Sequence, residues 1–283
     1  MRAAWRRLDS RAGKLGAVLF LALVVTALTA PWLAPHDPYA QNVMVRLKPP
    51  FWMAGSLEGH LLGTDALGRD TLSRLIYGAR ISLGIGAMAV LGAGLLGTAL
   101  GLIAGYFGGR VDDVISLLVN AAWSFPFILL ALIIVAVLGS GVGNLVVALV
   151  ATSWAAFARI ARGEAIALRE REYVTAARSL GMRDARILVH HVLPNMASSM
   201  LVVASIEFGR AILRESFLSF LGLGVPPSVP SWGGMLSEAR AYLFTMDWMV
   251  TLPGVMIFLA TLSVNLLGDG LRDALDPRLR RRR

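Results

Sequence analysis

The sequence of 283 residues predicts an all-α polytopic membrane protein with six transmembrane helices, and three observations carry that expectation. Hydrophobic residues make up 56% of the chain and charged residues only 16%, far from the averages of soluble domains. Mean hydropathy is +0.66. The apolar residues fall in continuous runs near the length that a bilayer core about 30 Å thick demands, about 20 residues per helix. These runs lack period-2 alternation, so helices rather than strands do the spanning.

The first run, Leu15–Ala34, follows a basic tail over residues 1–14 that holds Arg2, Arg6, Arg7, Arg11 and Lys14. A basic start and an apolar core raise the question of a cleaved signal peptide. Pro31 and Trp32 make a poor cleavage junction, so the span is expected to stay. Residues 35–80 form a polar segment outside the membrane, and residues 81–271 the core domain. In the outer segment, Gly63-Thr64-Asp65 and Gly68-Arg69-Asp70 lack the bidentate Glu of a calcium loop. Thr64 or Asp65 is expected to cap the next helix, which would run along the interface into span two.

Span two is Ile81–Ala104. Its Gly97, Gly101 and Gly105 repeat every four residues, a stripe that lets helix backbones approach closely. The stripe alone does not say which helix it faces. Span three, Val114–Leu138, contains Pro126 and should kink there. Spans four and five are Val142–Ala158 and Met196–Leu213. Span six is Trp248–Gly268, and residues 272–283 form a basic tail. The stretch Ser216–Asp247 is too rich in Gly and Pro for a span. It reads as a lid-like or re-entrant element or an interfacial loop, with Trp232 and Trp248 suited to the headgroup zone.

The net charge of +9 is a topology signal rather than a nucleic-acid footprint. Nineteen of the 27 basic residues fall on one side of a six-span layout, in the two tails, at Arg110, and in the loop over residues 159–195. The positive-inside bias places both termini and that loop in the cytoplasm. The terminal clusters sit close to anionic membrane lipid. The chain has no Cys, which removes disulfides and thiolate metal sites.

Glu207 and Arg210 are the two ionised residues placed well inside a span. Each costs about 2.5–3.5 kcal/mol at a helix centre on insertion scales, so neither should face lipid. At i and i+3 they can neutralise each other, either lining a translocation path or fixing helix packing as a buried pair. The four histidines form no metal set by spacing, since His36 and His60 lie outside while His190 and His191 lie inside. No catalytic motif is present, and no Gly-Lys-Ser/Thr phosphate loop. No residue is therefore assigned a catalytic, cofactor-binding or metal role.

The loop ending at Asn195, REREYVTAARSLGMRDARILVHHVLPN, is the most telling stretch. Ile166, Tyr173, Ala177 and Leu180 recur at helical spacing as an apolar stripe. Gly181 allows a bend, and Pro194 is expected to end the second half before span five. Ala176-Ala177, then Gly181, then Leu193-Pro194 resembles the "EAA" loop of ABC-type import permeases, with Thr175 at the Glu position and His191 at the Ile position. HLLGTDALGRDTLSRLIYGARISLGIG, ESFLSFLGLGVPPSVPSWGGML and NLLGDGLRDALDP resemble the second permease subunit of dipeptide, oligopeptide and nickel importers.

The resemblance implies six helices of the type I ABC importer permease kind. It implies a permease subunit of an ATP-driven importer of peptides or a related small solute. The expected partners are a homologous second permease, two ATP-binding subunits carrying ATP and Mg, and an extracytoplasmic substrate-binding protein. The ATPase-coupling loop would comprise Glu172, Ala176, Ala177, Arg178, Gly181, Arg183, Arg186, Leu193 and Pro194. The alternative, an ion-coupled secondary transporter, would want more intramembrane carboxylates and an inverted repeat. An intramembrane enzyme would need a nucleophile or metal cluster within the spans.

Overall fold

The computed structural model describes residues 11–275, and every regular element among them is helical. The β content is one isolated bridge between Thr64 and Asp70. Helix α1 (Arg11–Leu28) ends at Thr29, where Pro31 opens the one-turn α2 (Ala30–Leu33). Residues 34–70 follow as loops around a short 3-10 turn, Val43–Val45. Helix α3 then runs unbroken from Thr71 to Phe107, so the lead-in and the second span are one helix. Its 37 residues extend about 55 Å at 1.5 Å per residue.

Asp70 caps α3, its carboxylate accepting from the Ser73 backbone N–H at 2.8 Å. Thr64 and Asp65, the expected caps, are engaged elsewhere. The Thr64 hydroxyl donates to the Val45 carbonyl and accepts from the Lys48 N–H. Asp65 accepts from Arg69 and Arg74, which both also reach Glu238.

Helices α4 (Gly109–Ser124) and α5 (Phe127–Leu138) meet at Pro126 with a bend of 93°. The expected kink is therefore a full break. Pro126 bars Phe125 from the α region, and Phe125 is extended at φ −86° and ψ 130°.

Helix α6 (Val142–Arg169) settles where the broken pair goes. A Cβ added at Gly97, Gly101 or Gly105 would strike the carbonyl of Trp154, Ala158 or Arg162 respectively. Four-residue steps on α3 thus match four-residue steps on α6 in the same sense. The glycine stripe faces its own bundle, and α3 and α6 run parallel. The chain must return across the bundle between them. In this register, Val142 stands about 33 Å back along α3 from Phe107. Helices of 16 and 12 residues bent at 93° span about 30 Å end to end. The pair is a broken crossing, and the bundle crosses six times.

The next elements are α7 (Glu172–Ser179), the single turn α8 (Asp184–Ile187), a π-helical stretch Leu188–Val192, and α9 (Leu193–Phe220). Pro194 lies inside this continuous rod and does not end it. The missing N–H is absorbed upstream, where the Leu193 N–H bonds back five residues to the Leu188 carbonyl.

Helix α10 (Trp232–Ala239) precedes α11 (Trp248–Leu275). Residues 216–220 complete α9, so only the remainder of the Gly/Pro-rich stretch lies outside long helices. Trp232 is fully buried rather than interfacial. Its indole donates to the Leu75 carbonyl at 3.0 Å, and its ring fills the space left by Gly78. Trp248 is buried as well.

Gly16 packs on Ser263–Leu267, so the start of α1 lies against the last turns of α11, and Gly268 on Ser205 with Gly209 on Thr261 and Asn265 makes α9 and α11 antiparallel. The principal core joins α3, α5, α6 and α9 through Ile85, Ala89, Val135, Leu149, Phe157 and Ala211. The outer faces of α3, α4 and α5 remain apolar and exposed, as at Leu95, Leu117 and Val137. A contiguous surface of that kind needs lipid or protein over it.

Candidate functional site

The loop 159–195 is built from the end of α6 outward. Helix α7 begins with Glu172 in its first turn and closes in a Schellman motif. The Met182 N–H bonds to the Ala177 carbonyl at 3.1 Å and the Gly181 N–H to the Arg178 carbonyl at 3.0 Å. Gly181 supplies the required positive φ, +78°. The buried face of the loop is Val174, Ala177, Ile187 and Val192, packed on Leu102, Ala161 and Ala165 of the bundle.

The expected apolar stripe is corrected here. Tyr173 is 41% exposed and Leu180 86% exposed. Helix α6 stops at Arg169, so the periodicity that ties Ile166 to the later residues does not run through. Of the nine coupling residues expected from the sequence, Ala177 is buried and the other eight are exposed.

A polar clamp fixes α7 and α8 to the end of α3. The Tyr106 hydroxyl donates to Asp184 Oδ1 at 2.6 Å and accepts from Arg178 Nη2 at 3.1 Å. The Arg178 guanidinium also lies 5.4 Å from the Tyr106 ring centroid. The hydrogen bond to Tyr106 holds the Arg178 guanidinium above its ordinary range. Tyr106 and Asp184 were not among the expected site residues. Nothing in their spacing announces the pairing, because they come from separate elements.

The second group lies within the bundle. Glu207 is 2% exposed, and its Oε1 accepts from Arg210 at 2.7 Å. A third member joins them. Arg214 Nη1 reaches Glu207 Oε2 at 3.3 Å and donates to the Ser153 hydroxyl at 2.6 Å. The pair expected from the sequence is thus a triad, with one formal positive charge in excess. Arg214 lies one turn beyond Arg210, so helical spacing does point to it, whereas Ser153 carries no such signal. The three charges border a cleft of about 210 Å³ walled by Trp123, Phe125 and Phe127. Glu164 and Glu215 also sit among the helices, with Ser199 and Ser219 hydroxyls as hydrogen-bond donors.

The histidines divide as expected, except that His36 and His60 come together. Their rings stack at 4.6 Å beside Asp70, a proximity that sequence spacing conceals because two loops fold over one helix terminus.

Six crossings, a helical projection at one end and a charged cleft among the spans define a multi-pass transport permease. Residues 97–281 match the family described as binding-protein-dependent transport system inner membrane component. Residues 1–50 match the N-terminal TM domain of oligopeptide transport permease C. The chain belongs to the binding-protein-dependent inner membrane component family of ABC importers.

A di/tripeptide transport system permease of Pseudomonas aeruginosa is 45% identical over 99% of this chain and 93% of its own length. A glutathione transport system permease of Pectobacterium atrosepticum is 43% identical, covering 99% and 91%. Among solved structures, an inward-facing methionine ABC transporter chain superposes with a TM-score of 0.57 at 19% identity, covering 72% of this chain and 97% of that one. At that identity the likeness concerns the fold.

Proposed function

We propose that the chain is one of two homologous permease subunits of an ATP-driven importer of short peptides, with loop 159–195 as the seat of an ATP-binding subunit. The observation that carries this reading is the construction of α7. It is a short helix held from behind by Ala177, a small core and the Arg178–Tyr106 clamp, yet it presents Glu172 and Ala176 outward. The reading places this end of the bundle, with both termini, in the cytoplasm, as the distribution of basic residues requires.

ATP and Mg belong to the two partner subunits, since the chain has no phosphate loop of its own. Relatives over 40% identical are named for di/tripeptides, dipeptides and glutathione, which favours peptide cargo delivered by an extracytoplasmic binding protein. The Glu207–Arg210–Arg214 cleft lines the path, and its excess positive charge suits a passing carboxylate.

The test is reconstitution with the neighbouring subunits in proteoliposomes, with hydrolysis and dipeptide uptake measured side by side. Gly181→Trp should leave membrane insertion intact while lowering ATPase association or separating hydrolysis from uptake. Wild-type association, stimulated hydrolysis and uptake in that variant would overturn the assignment. Uptake driven by an ion gradient without any ATPase would favour the secondary-transporter alternative.

A further inference from the structure

We propose that His36, His60 and Asp70 form a binding site for one divalent transition-metal ion of the zinc class. The three residues come from three separate stretches: the loop after α2, the loop before Gly63, and the cap of α3. Their ligand atoms all lie within 4.8 Å of one another. His60 Nδ1 stands 2.9 Å from Asp70 Oδ1, and His36 Nδ1 stands 3.8 Å from the same oxygen.

The His60 contact is a hydrogen bond that an ion seated between the three ligand atoms would replace, whereas the His36 contact is not one. Zinc bonds of about 2.0–2.1 Å in tetrahedral geometry set neighbouring ligand atoms about 3.3–3.4 Å apart, and the two observed distances bracket that value. At 3.8 Å the His36 contact is too long for a hydrogen bond, and the oxygen it faces already serves His60. Two neutral imidazoles and a carboxylate are a common donor set for zinc, with a fourth position for water.

The supporting shell is also in place. Asp70 Oδ2 accepts from the Ser73 N–H at 2.8 Å and the Ser73 hydroxyl at 2.7 Å, which fixes the carboxylate and turns Oδ1 toward both histidines. The backbone N–H of His36 donates to the same Ser73 hydroxyl at 3.0 Å. One serine therefore orients both the carboxylate and the loop that delivers a ligand. Asp70 is buried, whereas the His36 side chain is 41% exposed, so an ion has a route in. Once bound, it would clamp residues 34–64 onto the first turn of α3. The site lies far from the 159–195 loop along the long axis of α3, and it depends neither on the sidedness of the bundle nor on the cargo.

The test uses the full chain carrying no histidine tag, in detergent, stripped by chelator and titrated with Co²⁺. One equivalent should bind with the intense visible bands of a four- or five-coordinate site, and Zn²⁺ should displace it. His36→Ala and His60→Ala should each abolish the stoichiometric bands, while a His190→Ala/His191→Ala variant keeps them. His36 lies in an exposed loop, so His36→Ala should retain the wild-type melting temperature without metal and lose only the rise that Zn²⁺ produces. Weak octahedral absorption alone, bands that survive in both His36→Ala and His60→Ala, or loss in the His190/His191 variant would each overturn the proposal.

Discussion

Gly181 offers a sharp test of how the exposed helix α7 is held. Its φ of +78° lies where an L-residue costs about 1–2 kcal/mol. A Cβ placed there meets no atom within 4 Å, so Gly181→Ala carries the backbone penalty and no steric one. The Schellman bonds at Gly181 and Met182 should therefore open about 5–30-fold more often, since 1.4 kcal/mol is a factor of ten. Hydrogen–deuterium exchange reads this directly at the Met182 amide, which bonds to the Ala177 carbonyl. Exchange there should accelerate by that factor, while amides in the middle of α6 stay unchanged. Gly181→Asn should fall between glycine and alanine, because Asn tolerates the left-handed region better. A Met182 amide that exchanges equally fast in the glycine and alanine proteins would refute the role given to the turn. So would an Asn variant that exchanges faster than Ala.

Gly101→Leu should drive a side chain into the Ala158 carbonyl and the Ala161 methyl, lowering the melting temperature in detergent by an overpacking penalty of about 1–3 kcal/mol. Gly84→Ala, inside the same helix with open space around it, should melt at or slightly above the wild type. In the charged cleft, Arg214→Ala should damage assembly more than Arg210→Ala. Arg214 alone bonds both Glu207 and Ser153, whereas the Arg210 side chain is 57% exposed; comparing folded yield by gel filtration checks the order. Glu238→Ala removes one of the two acceptors that the buried Arg69 and Arg74 share, and Asp65 remains as the other. It should loosen the α3–α10 contact by less than the about 3–5 kcal/mol of a fully unpaired buried charge, seen as faster proteolysis of residues 220–247 than in the wild type.

The sequence by itself determined the material of this protein. Long apolar runs, the distribution of arginines and the motif from Ala176 to Pro194 depend on composition and on spacing within one element. Such information survives without knowing which helices touch. The turn at Gly181 belongs to the same class, because a left-handed residue is a local backbone property. So does the Glu207–Arg210 pair, set three residues apart on one helix.

Tertiary structure decided everything that needed two distant elements to meet. Gly97, Gly101 and Gly105 form a visible stripe, but only its match to the carbonyls of Trp154, Ala158 and Arg162 reveals a parallel helix and so makes the Pro126 break a crossing. Asp70 caps α3 in place of Thr64 or Asp65 because Arg69, Arg74 and Val45 occupy those two. Trp232 leaves the interface because Gly78 opens a slot for its ring. The joining of His36 to His60, and of Tyr106 to Asp184, follows from loops closing over helix ends. A linear pattern records which faces are apolar, and packing selects the partner for each face.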